Sequence, residues 1–354
     1  MIESERELLT EHCDLLVSPE AEIIILCSRW TLSDKQKNRL HDLLQHQGLR
    51  WKELVSAAYR HGVVTMLFWH LPHRSSLIPE VVLDEFNEFF LCVVNANAVL
   101  VKELCALTRE FQKQTIPCVP FKGVALSQQL YGEPSFRSTT DLDILIPEDY
   151  LEPALNVIRN LQYDSVQPER ADYEDLKLPF YLKLTNEHNF VQRRTTLSLD
   201  LHWRLLPHGF TDLSTEKVLA STGKLELLGT QLDVMSPEIL LHALCGHAAK
   251  HGFTRLVWVS DIAEVMNKFG DGLDWELVLN NARAYNSSRS LLLGTYLASV
   301  VLEAALPQPL ALEIRKTPSL IKLAESLLPP LTQLEEPQPW SVLKEWLFWL
   351  ELKS

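Results

Sequence analysis

Several kinds of protein are excluded by what this chain has little of. Only 12 of its 354 residues are glycine, and no repeat of fixed period or low-complexity tract interrupts it, so it is neither fibrous nor disordered. Its six cysteines (Cys13, Cys27, Cys92, Cys105, Cys118, Cys245) are scattered without a Cys-x-x-Cys pair. Buried, reduced thiols are expected rather than a disulfide framework. Basic residues are in deficit, 33 Lys and Arg against 46 Asp and Glu, for a net charge of −13. That argues against broad binding to nucleic acid or an anionic membrane, although not against a local basic groove. The start (Glu3, Glu5, Glu7) is acidic and lacks a secretory leader pattern. No uninterrupted apolar run approaches the roughly 18–20 residues that cross a bilayer. A cytoplasmic protein with no membrane association is expected. What remains is ordinary globular material, 46% hydrophobic and long enough for two or three cooperating units.

Residues 1–115 read as helices. Ser18-Pro19-Glu20 supplies an N-cap, a proline at the first helical position and an acidic first turn for a helix over 21–29. Helices follow over 33–47, 51–61 and 64–71, and a long amphipathic one runs from Pro79 to about Gln114. Over 116–235 the texture changes to short apolar runs between turns. Strands are predicted at 116–121, 142–146, 181–192 and 196–203, the last two forming a hairpin around Arg193-Arg194-Thr195. Helical stretches fall at 124–131 and 150–160, and the acidic stretch 164–179 reads as a surface insertion. From Ser236-Pro237-Glu238 onward, 236–354 returns to helices at 239–251, 255–268, 275–285, 288–302 and 310–328. A proline-rich connector (Pro329, Pro330, Pro337, Pro339) then leads to a final segment, 340–352. Interleaved strands and helices with one antiparallel hairpin describe an α+β core with a mixed sheet, flanked by helical regions.

The chemistry concentrates in the core. An apolar run ends in Phe121-Lys122-Gly123; Arg137 follows, and then Asp141-Leu142-Asp143-Ile144-Leu145-Ile146. Alternation along a strand puts Asp141 and Asp143 on one face. Neighbouring carboxylates repel unless a cation sits between them, and a hard divalent ion with oxygen ligands is the usual remedy. In Leu197-Ser198-Leu199-Asp200-Leu201-His202-Trp203, the same alternation gives Ser198, Asp200 and His202 one face. If the two strands are neighbours, Asp200 completes a carboxylate triad able to hold two Mg²⁺ ions for phosphoryl or nucleotidyl transfer. Plainer readings exist for each piece. An Asp-x-Asp pair opens many surface strands, Lys122 could be a solvated strand end, and Arg137 could pair with one aspartate.

Taken together, Lys-Gly, a later Tyr, Arg, Asp-x-Asp-Ile-Leu-Ile and Leu-Asp-Leu-His-Trp resemble the uncharacterised nucleotidyltransferase family of the polymerase β-like superfamily. The likeness is densest over 117–205 and continues at Lys250-His251-Gly252, Arg255-Leu256, Trp258 and Asp261-Ile262. It implies a polymerase β-like core between helical N- and C-terminal regions. It further implies Asp141, Asp143 and Asp200 as metal ligands and catalytic residues, with two Mg²⁺ ions. Lys122, the Gly123 turn and Arg137 would bind the triphosphate, with Lys250 and Arg255 adding charge from the helical region. His202 is read as lying just outside the ligands, because Mg²⁺ seldom takes imidazole. One departure is Val124, where such enzymes usually carry Ser or Gly after the glycine.

The expected reaction moves a nucleoside monophosphate from an NTP, such as ATP, to an acceptor hydroxyl or phosphate and releases pyrophosphate. Residues 101–210 hold 12 basic and 15 acidic side chains, which offers RNA no obvious track. A small molecule, peptide or protein acceptor is therefore favoured over a toxin-like action on tRNA. A non-catalytic nucleotide-binding module is the reading from a different class. His242, His247 and His251 suggest zinc, but no completing ligand set accompanies them, and packed histidines are preferred. The stripe Trp340, Leu343, Trp346, Leu347 and Leu350 reads first as a packing helix, then as a homo-oligomer contact.

Overall fold

A computed structural model describes residues 17–71, 76–167, 182–183, 185–207, 209–334, 348 and 352. Helices come first: α1 (Pro19–Cys27), α2 (Asp34–Leu44), α3 (Trp51–His61), α4 (Val64–His70) and α5 (Glu80–Lys113). The middle of the chain holds β1 (Val119–Pro120), α6 (Gly123–Tyr131), β2 (Asp141–Leu145), α7 (Leu151–Asn160), β3 (Tyr163–Gln167), β4 (Glu187–Gln192) and β5 (Ser198–His202). Then come α8 (Thr215–Leu219), the hairpin β6 (Thr222–Leu227) and β7 (Thr230–Met235), α9 (Pro237–Lys250) and α10 (Leu256–Phe269). The last described helices are α11 (Trp275–Ala284), α12 (Ser288–Leu302), α13 (Gln308–Arg315) and α14 (Pro318–Thr332). The α+β class expected from the sequence is the one observed.

Two compact units result. One gathers 1–88, 248–279 and 289–354; the other gathers 89–247 and 280–288. In the first unit the local signals work as written. Ser18 Oγ accepts from the Ala21 amide, and Ser33 and Gln36 form a reciprocal capping box. Gly62 ends α3 in the left-handed conformation, at φ 70°. The carboxylate of Glu20 is buried and receives the Arg50 backbone and guanidinium. His61 is buried too, its Nδ1 accepting from the Leu256 amide at 3.3 Å.

The second unit is built on a five-stranded mixed sheet in the order β1-β2-β5-β4-β3. β2 and β5 run parallel and the other pairs are antiparallel. One face of the sheet is apolar, with Leu142, Ile144, Phe190, Leu199 and Leu201 packed into a cluster with Leu100, Leu104 and Phe111 of α5 and Ile158 of α7. The β6–β7 hairpin is tied to α5, where Arg109 donates to Thr230 Oγ1 and Gln112 to the Gln231 carbonyl.

Several expectations need correction, among them the strand read over 181–192, which is strand only over Glu187–Gln192, with Leu182 and Lys183 helical. The acidic stretch begins inside β3, because Tyr163, Asp164 and Ser165 pair with β4; residues 168–179 of that insertion, and the 340–352 segment apart from Phe348 and Leu352, lie outside the described residues. The helix read over 310–328 is two, since Pro318 pushes Thr317 out of helical geometry (φ −124°, ψ 70°). The connector reading fails for Pro329 and Pro330, which sit in the last turns of α14. They remove amide donors there, and the helix stops at Thr332. Of the five described thiols, all free, Cys92 is exposed. Finally, α5 is long and apolar enough, by length and composition, to cross a membrane. Only uncharged residues lie between Phe89 and Val101, and small polar Asn95 and Asn97 rather than charges interrupt the pattern. Its buried side, Phe86, Val93, Asn97, Leu100, Leu104 and Phe111, follows the spacing of a helix packed on a core.

Two buried titratable groups of the first unit, His61 and Glu20, each contribute stability that acid removes. Burial, helped by the charges of Arg60 and Arg255, pulls His61 from 6.5 down to about 3. Burial raises Glu20, but the bonds from Arg50 outweigh it and bring the carboxyl down to about 2. Both folded values lie below the unfolded ones, so each contribution is complete at neutral pH. Acidification removes the His61 part below 6.5 and the Glu20 part below 4.5. The His61 part amounts to about 2 kcal/mol between pH 7 and 5. Burial raises Glu264 of the same unit to about 7, which offsets that loss over the same interval. The test is therefore the difference between proteins: on acidification from pH 7 to 5 the melting midpoint of His61→Gln should fall less, or rise more, than that of wild type. A variant as acid-sensitive as wild type would place the effect elsewhere.

Candidate active site

The face of the sheet opposite the core carries the polar side chains. Parallel pairing sets Asp143 directly across from Asp200, with Asp141 across from Ser198 and Leu145 across from His202. On the other side of β5, Asn189 lies opposite Asp200 and Glu187 opposite His202. Two cross-strand rows result: Asp143–Asp200–Asn189 and Leu145–His202–Glu187. The carboxylates and the imidazole thus come from a rigid sheet whose reverse side is packed into the core.

Asp143 is buried, at 4% exposure, and one oxygen is contacted twice. Lys122 Nζ lies 2.6 Å from Oδ1 and His202 Nε2 lies 3.0 Å from the same atom. Burial alone would raise this carboxyl, but the Lys122 ammonium and the His202 bond hold it well below the usual range. Asp141 behaves oppositely. Burial and the charges of Asp143 and Asp200 push it up to about 6, only partly offset by Lys122 and Arg137. Asp200 is raised as well, first by burial, although Asn189 Nδ2 donates to its Oδ1 at 2.7 Å. The cluster therefore holds more negative charge than its protein cations neutralise. A divalent cation would relieve that excess.

Asp143, Asp200 and His202 offer ligand atoms that all lie within 4.8 Å of one another, a group able to hold a metal ion. Asp141 is outside this tight group and His202 is inside it. A set of carboxylate oxygens with one imidazole nitrogen fits a divalent cation.

The approach to this face comes from the turn after β1. Lys122 is the N-cap of α6 and no side chain caps that helix, so its first amides point from an open N-terminus. Gly123 adopts φ +59°, and a Cβ there would lie 2.8 Å from Thr139 Cγ2 and 3.3 Å from the Asp141 carbonyl. Only glycine fits so close a backbone approach. Arg137 is buried, and its carbonyl, like that of Pro134, accepts from Asn97 Nδ2 of α5 at 2.8 Å. Lys122, Gly123 and Arg137 are thus gathered with the three aspartates, as the sequence suggested. Lys250 and Arg255 fall in the first compact unit, at the end of α9 and the start of α10. There the Arg255 guanidinium lies 5.5 Å over the Trp258 ring. His242 is buried edge-on to Tyr285.

A family model described as uncharacterised nucleotidyltransferase matches residues 47–303, well over half of the sequence. The chain belongs to that family. No curated protein matches it. Family and site together support a nucleotidyltransferase with an acidic, metal-competent centre. Sequence reasoning passed over Glu187 and Asn189. A three-residue turn at Arg193-Arg194-Thr195 would have set His188 against Asp200, whereas the observed register brings Asn189 and Glu187 to the site.

Strain at the Gly123 turn is directly testable. Gly123→Ala is expected to cost about 1–2 kcal/mol, since both the positive φ and the Thr139 methyl oppose a side chain. Adding Thr139→Ser removes that methyl and should recover part of the loss in thermal melts. A Gly123→Ala protein that melts like wild type would show that the turn accepts an ordinary residue.

Proposed function

We propose that this protein transfers a nucleoside monophosphate from an NTP, ATP among them, to an acceptor hydroxyl or phosphate, and releases pyrophosphate. The observation that carries the reading is the in-register Asp143–Asp200 pair with Asp141 beside it, on the polar face of a family nucleotidyltransferase core. Two Mg²⁺ ions bound there would neutralise the triphosphate and lower the pKa of the acceptor hydroxyl. The acceptor oxygen forms a bond to the α-phosphorus as the bond from that phosphorus to the β-bridging oxygen breaks. Asp200 accepts the proton of an acceptor hydroxyl or holds the cation that would lower its pKa.

Lys122 and Arg137 supply positive charge to the phosphates, and the open amides at Gly123 supply donors. Positioning and charge neutralisation carry the rate. The net charge of −13 favours a small molecule, peptide or protein as acceptor over RNA. A cytoplasmic location is part of the same reading, supported by the buried free thiols of Cys27, Cys105, Cys118 and Cys245.

The test is incubation of the protein with Mg²⁺ and each α-labelled NTP, alone and with total tRNA, metabolite extract or candidate proteins. Label should move with wild type and fall about a hundredfold or more with Asp143→Asn, given several kcal/mol of metal-dependent stabilisation. Equal labelling by a folded Asp143→Asn protein would sink the proposal, as would a wild type that binds no Mg²⁺–NTP. Label on tRNA alone would reverse the acceptor class.

A further inference from the structure

Resting on the reading that this centre binds divalent cations, we propose that its two cation positions are chemically unlike. One is built from aspartate oxygens alone. The other includes the His202 imidazole, held in orientation by Glu187, and takes Mn²⁺ in preference to Mg²⁺.

The geometry separates the two positions. His202 is 2% exposed and its Nε2 faces the Asp143–Asp200 pair, within the 4.8 Å group. Asp141 lies outside that group, so a cation shared by Asp141 and Asp143 meets only oxygen. Magnesium favours such all-oxygen shells in near-ideal octahedral form. Imidazole nitrogen is a softer donor that Mn²⁺ accepts more readily.

The imidazole is also supported as metal-binding histidines are. Phe121 meets it edge-on with ring centres 4.8 Å apart, which fixes the ring plane. On the far side, Glu187 Oε2 lies 3.1 Å from Nδ1, off the N–H line. Glu187 is itself held by Asn186 Nδ2 at 2.7 Å. A carboxylate on the nitrogen turned away from the metal is the usual outer partner of a histidine ligand. Asn189 serves Asp200 in the same way from the same strand. β4 thus braces two of the three members of the group, Glu187 behind His202 and Asn189 behind Asp200. Glu187 is a positioning residue on this account.

Electron spin echo spectroscopy of Mn²⁺ bound to the full chain without nucleotide reads the ligand directly. The expected spectrum carries ¹⁴N modulation that uniform ¹⁵N labelling converts to the ¹⁵N pattern and His202→Gln abolishes. Mn²⁺ affinity should fall about 10-fold or more in both His202→Gln and Glu187→Gln. Mg²⁺ affinity should change by less than about threefold, because an all-oxygen position remains. Wild-type Mn²⁺ that is lost in Asp143→Asn yet shows no nitrogen modulation would overturn the proposal and leave the metal-dependent function standing. His202 would then be a packed bridge between two carboxylates. A Glu187→Gln protein with wild-type affinity and modulation would remove the orienting role. Failure of wild type to bind Mn²⁺ or Mg²⁺, with or without ATP, would overturn the proposed function itself.

Discussion

Carboxylates held side by side under partial burial are the constraint to which the rest of this centre answers. Parallel pairing of β2 with β5 sets Asp143 against Asp200, and strand alternation adds Asp141 on the same face. Burial first, and then the neighbouring charges of Asp143 and Asp200, drive Asp141 up to about 6. The surrounding residues each reduce that cost. Lys122 brings an ammonium to Asp143, His202 reaches the same oxygen, and Asn189 donates to Asp200. A residual negative field remains at the surface of the sheet. It attracts cations and, through them, a polyphosphate.

Such a cluster survives only on a stiff support. The reverse face of the same strands is closely packed, with Leu142, Ile144, Leu199 and Leu201 almost fully buried against α5 and α7. Slipping either strand by one residue would exchange the two faces, burying the aspartates and exposing the leucines. The apolar face therefore sets the register that the polar face uses. The loop holding Arg137 is fastened to the same support, through the double donation from Asn97. At the other approach, the tight Gly123 turn brings the α6 N-terminus against the strand that carries Asp141. Positional precision at the reacting groups comes from a core that touches none of them.

Much of the fold was legible because its signals are local. Ser18-Pro19 announces α1, and the α3 pattern ends where Gly62 permits a left-handed residue. Errors arose where tertiary contacts overrode local character. β3 carries the acidic Asp164, yet pairing with β4 makes it a strand, with Arg193 bonding Asp164 across the pair. Pro329 and Pro330 read as a break, although burial of Leu327, Leu328 and Leu331 carries α14 past them. Asn95 and Asn97 made the α5 run seem interrupted, but a helix needs only one apolar side to pack, and Asn97 is buried because it is bonded.

The amino-acid sequence by itself determined the chemistry available: aspartates at 141 and 143, aspartate and histidine at 200 and 202, and a glycine after Lys122. Period-two alternation was enough to place each pair on one face. Only the tertiary structure decided which strands are neighbours, that β2 and β5 run parallel, and that His202 rather than Asp141 joins the tight group. It also decided the partners from β4. Thr196, at φ +57°, lengthens the hairpin turn to four residues, with the Gln192 amide reaching the Leu197 carbonyl. A turn one residue shorter would set His188 against Asp200 and turn Glu187 and Asn189 to the other face. Strand pairing is a contact between residues distant in sequence, and its register depends on the whole core rather than on any short stretch.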